Sequence, residues 1–290
     1  MPTALVFGGS GQIGVPLLHR LSAAGWDVAA VSRHAQAPID GVRWLRGGFE
    51  GADGMPATVD AIFSCGPLDS FGRWLASQRI EFGHVVAFGS TTAEVKQDSS
   101  DEGERDLAQR LQAGESGVLD TTAARGVPAV LLRPTLVYGS GRDQTLTRIA
   151  ALAARWRGFV LPRKADGLRQ PVHVEDLAAA AFAAASATAT ATYALGGGEV
   201  LPYRLMVKRV LGALRPPARL IEVPAPLFAW MLSKARARGL DVAIGDAAIA
   251  RMREDLVFDL APAQRDLGYA PRTFRPTAAM FAAPARGADQ

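Results

Sequence analysis

The run Thr3-Ala-Leu-Val-Phe7 passes without a break into Gly-Gly-Ser-Gly-Gln-Ile-Gly14, and an amphipathic stretch follows over 15–24. The first run reads as a buried strand over 4–7, and the apolar spacing after Gly14 reads as a helix. Between them stand Gly8, Gly11 and Gly14. So tight a turn needs backbone conformations or close approaches that a Cβ would block. It also leaves bare N–H groups at a helix N-terminus, where an anion such as a pyrophosphate is well held. A glycine triplet alone says little in a chain with 30 glycines. Placed between a first strand and a first helix, it points to a βαβ unit with a phosphate loop. Ser10, Gln12 and Ile13 join the three glycines as candidate cofactor contacts.

The alternation continues through the first 135 residues. Further strands are expected over 27–32, 42–45, 61–64, 85–88 and 129–132, and helices over 70–78 and 105–124. Strands and helices alternating through short connections make a parallel sheet covered on both faces. Right-handed crossovers then favour a doubly wound α/β (Rossmann) sheet, with its ligand at the carboxyl ends of the strands. After Arg133-Pro134 the pattern loosens, with helices expected over 145–156, 176–185, 203–214 and 226–237. This predicts a dinucleotide-binding domain over 1–140, completed by about 170–186. Residues 141–169 and 187–290 would form a smaller C-terminal substrate lobe.

Composition removes several function classes. With 49% apolar and 21% charged residues over 290 positions, the chain has a globular balance and the length of one or two domains. Its single cysteine, Cys65, excludes an intramolecular disulfide and a cysteine-cluster metal site, and four scattered histidines predict no metal centre. No run of five basic residues is present, so nucleic acid is not an expected partner. The N-terminus lacks a signal-peptide pattern, and the alanine-rich 177–191 stretch is too short to span a bilayer. No membrane association and a cytoplasmic location are therefore expected. The net charge of +4 is compatible with an anionic small molecule. Nothing selects an oligomeric state, and a homodimer is open to the chain.

The second strand ends in Ser32-Arg33. An NAD site usually carries a carboxylate there for the ribose hydroxyls, and a carboxylate would repel a 2′-phosphate. A guanidinium holds such a phosphate in a charge-assisted fork. Ser32 and Arg33 thus predict NADP(H) over NAD(H). Cys65 and Gly66, at the end of the 61–64 strand, are expected to line the same groove.

The spacing Gly-x-x-Gly-x-x-Gly resembles the short-chain dehydrogenase/reductase superfamily, in the extended branch of nucleotide-sugar epimerases and dehydratases. Three later segments are similar to that branch in the same order: RPTLVYG (133–139), RQPVHVEDLA (169–178) and LGYAP (267–271). The resemblance implies that Arg133 and Pro134 border the cofactor. It also implies that Arg169 contacts a substrate phosphate with Arg142 flanking it, and that His173 is structural. VVAFGSTTAE aligns Ser90 with the family serine that polarises the substrate oxygen, with Thr91 and Thr92 as neighbours able to substitute.

The family's Tyr-x-x-x-Lys pair is missing. Tyr138, Tyr193, Tyr203 and Tyr269 are followed four residues later by Arg142, Gly197, Val207 and Thr273. Anchored on Glu115 and the segment 126–134, the pair falls on Leu107 and Leu111, ordinary core spacing on a helix. Leucine neither delivers a proton nor holds a ribose hydroxyl. Candidate catalytic groups are then Ser90 and Thr91, with Glu94 and the acidic 98–106 stretch nearby. Two functions follow as expectations. One is an NADP-dependent oxidoreductase or sugar-nucleotide-modifying enzyme with an atypical acid. The other is an NADP-sensing or scaffold protein without turnover.

Overall fold

The computed structural model describes residues 1–237 and 246–282; the rest of the expected lobe lies outside the described residues. The chain begins β1 (Thr3–Phe7), α1 (Gly14–Ala23), β2 (Asp27–Ser32), β3 (Val42–Gly48), β4 (Gly51–Ala52), β5 (Thr58–Ser64), α2 (Leu68–Ser77) and β6 (Glu81–Phe88). It continues with α3 (Thr92–Val95), α4 (Glu102–Ala124), β7 (Ala129–Pro134), β8 (Val137–Tyr138), α5 (Leu146–Trp156), β9 (Gly158–Pro162), β10 (Leu168–Arg169) and β11 (Val172–His173). Then come α6 (Val174–Ala184), β12 (Ala191–Leu195), β13 (Leu201–Pro202), α7 (Tyr203–Ala213), β14 (Arg219–Val223), α8 (Ala225–Ala237), α9 (Asp246–Arg251) and α10 (Ala261–Leu267).

One sheet organises the molecule, in the order β12-β7-β6-β5-β1-β2-β3-β4. Every neighbouring pair in it is parallel except β3–β4 at the edge. The central strands β1, β2 and β7 are largely apolar because both faces are buried. In β1, Ala4 and Val6 face one core with Leu17, Leu18 and Leu21 of α1 and Leu177 of α6. Leu5 and Phe7 face the other, with Phe71, Trp74 and Leu75 of α2 and Val118 of α4. Helices α2 and α4 pack through Gly72 and Gly114, where a Cβ on Gly114 would lie 2.7 Å from the Asp69 backbone nitrogen.

The doubly wound sheet is as expected, but the boundary at 187 is corrected. Ala191–Leu195 is an eighth strand of the main sheet, parallel to β7. Ala263 of α10 and Tyr269 also return to the β1–α1–α6 core. The resembling segments meet there: Asp176 accepts from the Arg272 backbone N–H and Nε at 3.0 and 2.8 Å, and Tyr269 donates to the Gly196 carbonyl at 2.7 Å. What remains as a lobe is a third core of Tyr138, Leu146, Ile149, Leu161, Met206, Val210 and Phe274. The parallel pair β9–β14 lies beside it.

Candidate nucleotide and substrate site

The strand order reverses direction at β1, with β2 on one side and β5 on the other. A crevice therefore opens at the carboxyl ends of β1 and β5, the usual ligand position in an open α/β sheet. Gly8 sits in it with φ +71°, and a Cβ there would lie 2.7 Å from Cys65 carbon and Gly66 nitrogen. Gly14 is tighter, its Cβ position 2.2 Å from the Gly8 oxygen. The Gly11 N–H closes the turn on the Gly8 carbonyl at 2.9 Å. Helix α1 then starts without a side-chain cap and without an acid in its first turn. Its leading amides carry the positive end of the helix dipole.

The far side of the crevice is the end of β2. The Ser32 hydroxyl is taken up locally, donating to the His34 carbonyl at 2.8 Å and accepting from the His34 N–H at 3.3 Å. Arg33 is exposed, and its Cγ lies 3.8 Å from where Gly48 would carry a Cβ. Phe49 stacks on Phe7 at 4.9 Å and flanks Gly66. The Cys65 backbone N–H bonds the Phe7 carbonyl at 2.9 Å, and burial pushes its thiol up to about 12.

At the ends of β6 and β7 the two candidate hydroxyls differ. Thr91 is buried and donates to the Pro134 carbonyl at 3.2 Å. The Ser90 hydroxyl accepts the Thr92 N–H at 3.1 Å, which leaves its own proton to donate elsewhere. The Arg133 guanidinium is taken up by two carboxylates: Nε bonds Glu115 at 2.8 Å and Nη1 bonds Glu94. That ion pairing, Glu115 first, holds the guanidinium more firmly protonated. Arg133 is thus a hub joining β7, α4 and α3.

The two expected substrate arginines have different partners. Arg142 bonds the Ser10 carbonyl in the glycine loop. Arg169 is buried, donates to the carbonyls of Leu168 and Glu254 at 2.7 Å and of Arg251, and lies over the Tyr203 ring. Three of its donors thus serve the chain itself. His173 caps α6, its Nδ1 accepting the Glu175 N–H at 3.2 Å. Tyr138 packs edge-on against His173 and Phe274, and burial pushes its hydroxyl up to about 12.

Leu107 and Leu111 are half-buried on α4, and Leu111 packs against the α2–α4 core. One turn before Leu107, Glu104 collects Arg251 of α9 at 2.5 Å, Lys96 at 3.2 Å and Ser99 at 2.7 Å. These donors outweigh burial and hold its carboxyl at about 2. Sequence reasoning missed this bridge because its two halves lie far apart in the chain and carry no local pattern. Away from the crevice, a cavity of about 520 Å³ opens between α7 and 273–276, bordered by the Glu199–Arg209 ion pair. It contains none of the glycine-loop residues.

Residues 107–196 match the family model of the NAD dependent epimerase/dehydratase family. The chain resembles that family in its motifs and shares its fold with solved sugar-nucleotide enzymes. The structure of MoeE5 in complex with UDP-glucuronic acid and NAD is similar with a TM-score of 0.70 at 21% identity, over 96% of this chain and 97% of that one. UDP-N-acetylglucosamine 4-epimerase from Bacillus cereus is similar with a TM-score of 0.69 at 13% identity, over 100% and 98%. A curated relative, "Uncharacterized protein y4nG" of Sinorhizobium fredii (strain NBRC 101917 / NGR234), is 28% identical over 171 residues. That match covers 58% of this chain and 42% of the relative.

Proposed function

We propose that this chain binds NADP(H) at the glycine loop and acts on an anionic small molecule of the sugar-nucleotide class. The chemistry would be that of an oxidoreductase or epimerase working without a Tyr–Lys pair. The glycine loop carries this reading: Gly8 and Gly14 hold backbone where side chains cannot fit, under an uncapped helix N-terminus. The MoeE5 structure named above holds UDP-glucuronic acid and NAD, which supports the ligand classes. NADP rather than NAD is favoured by Arg33, an exposed guanidinium where an NAD site would carry a carboxylate. Ser90 is the better-placed hydroxyl to polarise a substrate oxygen, since the Thr91 proton is engaged. Arg169 would order the substrate side through the 251–254 turn that it fastens.

A second reading, an NADP sensor or scaffold without turnover, is favoured by Leu107 and Leu111, which put apolar groups at the family's proton-transfer positions. Incubating the protein with NADP and UDP-sugars separates the two. Reduced-nicotinamide absorbance or an epimerised sugar supports an enzyme, and nucleotide binding with neither signal supports the sensor. For the nucleotide preference, Arg33→Ala should weaken NADP by about ten- to a hundred-fold and leave NAD unchanged, the loss of one charge-assisted phosphate contact. Equal weakening of both would remove the assignment.

A further inference from the structure

We infer that Arg142 is a contact to the cofactor's diphosphate, reaching the glycine loop from the lobe side of the chain. This rests on the nucleotide reading above and adds a residue to it. The guanidinium lies on the loop, with Nη1 on the Ser10 carbonyl, and the neighbouring Ser140 hydroxyl lies 3.4 Å from Gln12 Oε1. Its backbone is pinned on both sides. The Gly141 N–H bonds the Met280 carbonyl at 2.9 Å. Buried Asp143 caps the start of α5 by accepting the N–H groups of Thr145, Leu146 and Thr147 at 2.6–3.1 Å. Arg142 is therefore held at the loop by fixed neighbours while its side chain stays exposed.

Its charge has no local counterpart. Among the described residues no carboxylate pairs with Arg142, whereas Arg133, Arg204, Arg209, Arg251 and Arg272 each have one. A guanidinium has five N–H donors, and the Ser10 carbonyl engages one. The same spot holds the start of α1, whose first turn carries no acid and whose dipole presents its positive end there. A diphosphate in the loop would meet both the guanidinium and the helix start at once, in the bidentate geometry that suits arginine. A substrate diphosphate has the same chemistry, and the position over Ser10 of the glycine loop favours the cofactor.

The test is calorimetric titration of wild type, Arg142→Met and Arg142→Lys with NADP, NAD and UDP-glucose, with Gly11→Val as a control. The Met variant should weaken NADP and NAD by the same factor, about ten-fold or more, and leave UDP-glucose unchanged. Lysine should recover part of the loss. The equal factor separates a diphosphate contact from the 2′-phosphate role of Arg33. Unchanged dinucleotide affinity, a loss confined to UDP-glucose, or equal loss for all three ligands each overturns the inference. If wild type and Gly11→Val bind dinucleotides equally, the nucleotide reading itself falls. If Gly11→Val alone abolishes binding, that reading stands and only Arg142 is refuted.

Discussion

At the β1–α1 turn the site is made of backbone; along α4 it is made of side chains. The turn depends on what Gly8, Gly11 and Gly14 lack, and any Cβ at Gly8 or Gly14 meets backbone within 2.7 Å. The α4 face instead reads Glu104, Leu107, Leu111, Glu115, with each carboxylate engaged by a guanidinium and two leucines between. A backbone site tolerates almost no substitution and so keeps its signature. A side-chain site changes chemistry by one residue at a time while the helix that carries it stays put. The first region therefore speaks for a nucleotide, and the second speaks against the usual proton transfer.

The comparison breaks most sharply at Gly14. A valine there would place its Cβ 2.2 Å from the Gly8 oxygen and 2.6 Å from the Gly9 Cα, atoms that cannot move without displacing α1 from the sheet. Gly14→Val should lose all measurable dinucleotide binding and about 1–3 kcal/mol or more of stability, read by chemical denaturation. Gly11→Val differs in kind, since its Cβ meets only the Gly8 oxygen, at 3.0 Å. It should lose binding and keep most of its stability. Equal stability losses in the two variants would show that the loop is a packing turn and not a shaped ligand seat.

Leu107 sharpens the other side. Leu107→Ala on its half-buried surface should cost roughly 1–2 kcal/mol, below the 2–5 of a fully buried leucine, with dinucleotide affinity within about two-fold of wild type. Leu107→Tyr with Leu111→Lys places a phenol and an ammonium at i and i+4, adjacent on one helix face. If the remaining site is competent, the double variant should raise turnover of a UDP-sugar above wild type. A large loss of NADP affinity in Leu107→Ala would instead make the leucines part of the nucleotide site.

The glycine-loop half of the fold was legible because its signals are local: strand, glycine turn and helix follow one another over Thr3–Ala23. Even the missing pair could be read, because Glu115 and Arg133 anchor the alignment and bond each other in the fold. The lobe was less legible. Ala191–Leu195 is short and follows an alanine–threonine run, so its place beside β7 comes from long-range pairing rather than from a pattern of its own. Two-residue strands such as β8 and β11 exist only as partners of each other. The arginine roles were hidden for a similar reason: with 28 arginines in the chain, sequence cannot tell which guanidinium a carbonyl or carboxylate will claim.

The smallest expected effect concerns acid sensitivity, and it probes the sheet beneath both regions. His84 on β6 is buried, its Nε2 has no partner among the described residues, and burial lowers its pKa below 6.5. His173 is lowered as well, first by burial and then by Arg272. The unfolded chain takes up these protons at higher pH than the folded one. Stability should therefore be level above about pH 7 and decline as pH falls through 6.5 toward the folded values. The carboxylates held low, Glu104 and Glu199 among them, lose their contribution only further down, as pH falls below the ordinary carboxylate range. His84→Leu removes one buried proton acceptor and one unpaired polar atom while nearly keeping volume. Denaturation midpoints should match wild type within about 1 kcal/mol at pH 7.5 and exceed it at pH 5.5, with a shallower slope between. An unchanged slope would place the acid sensitivity elsewhere, and His173, whose Nδ1 must stay unprotonated to cap α6, would be the next residue to test.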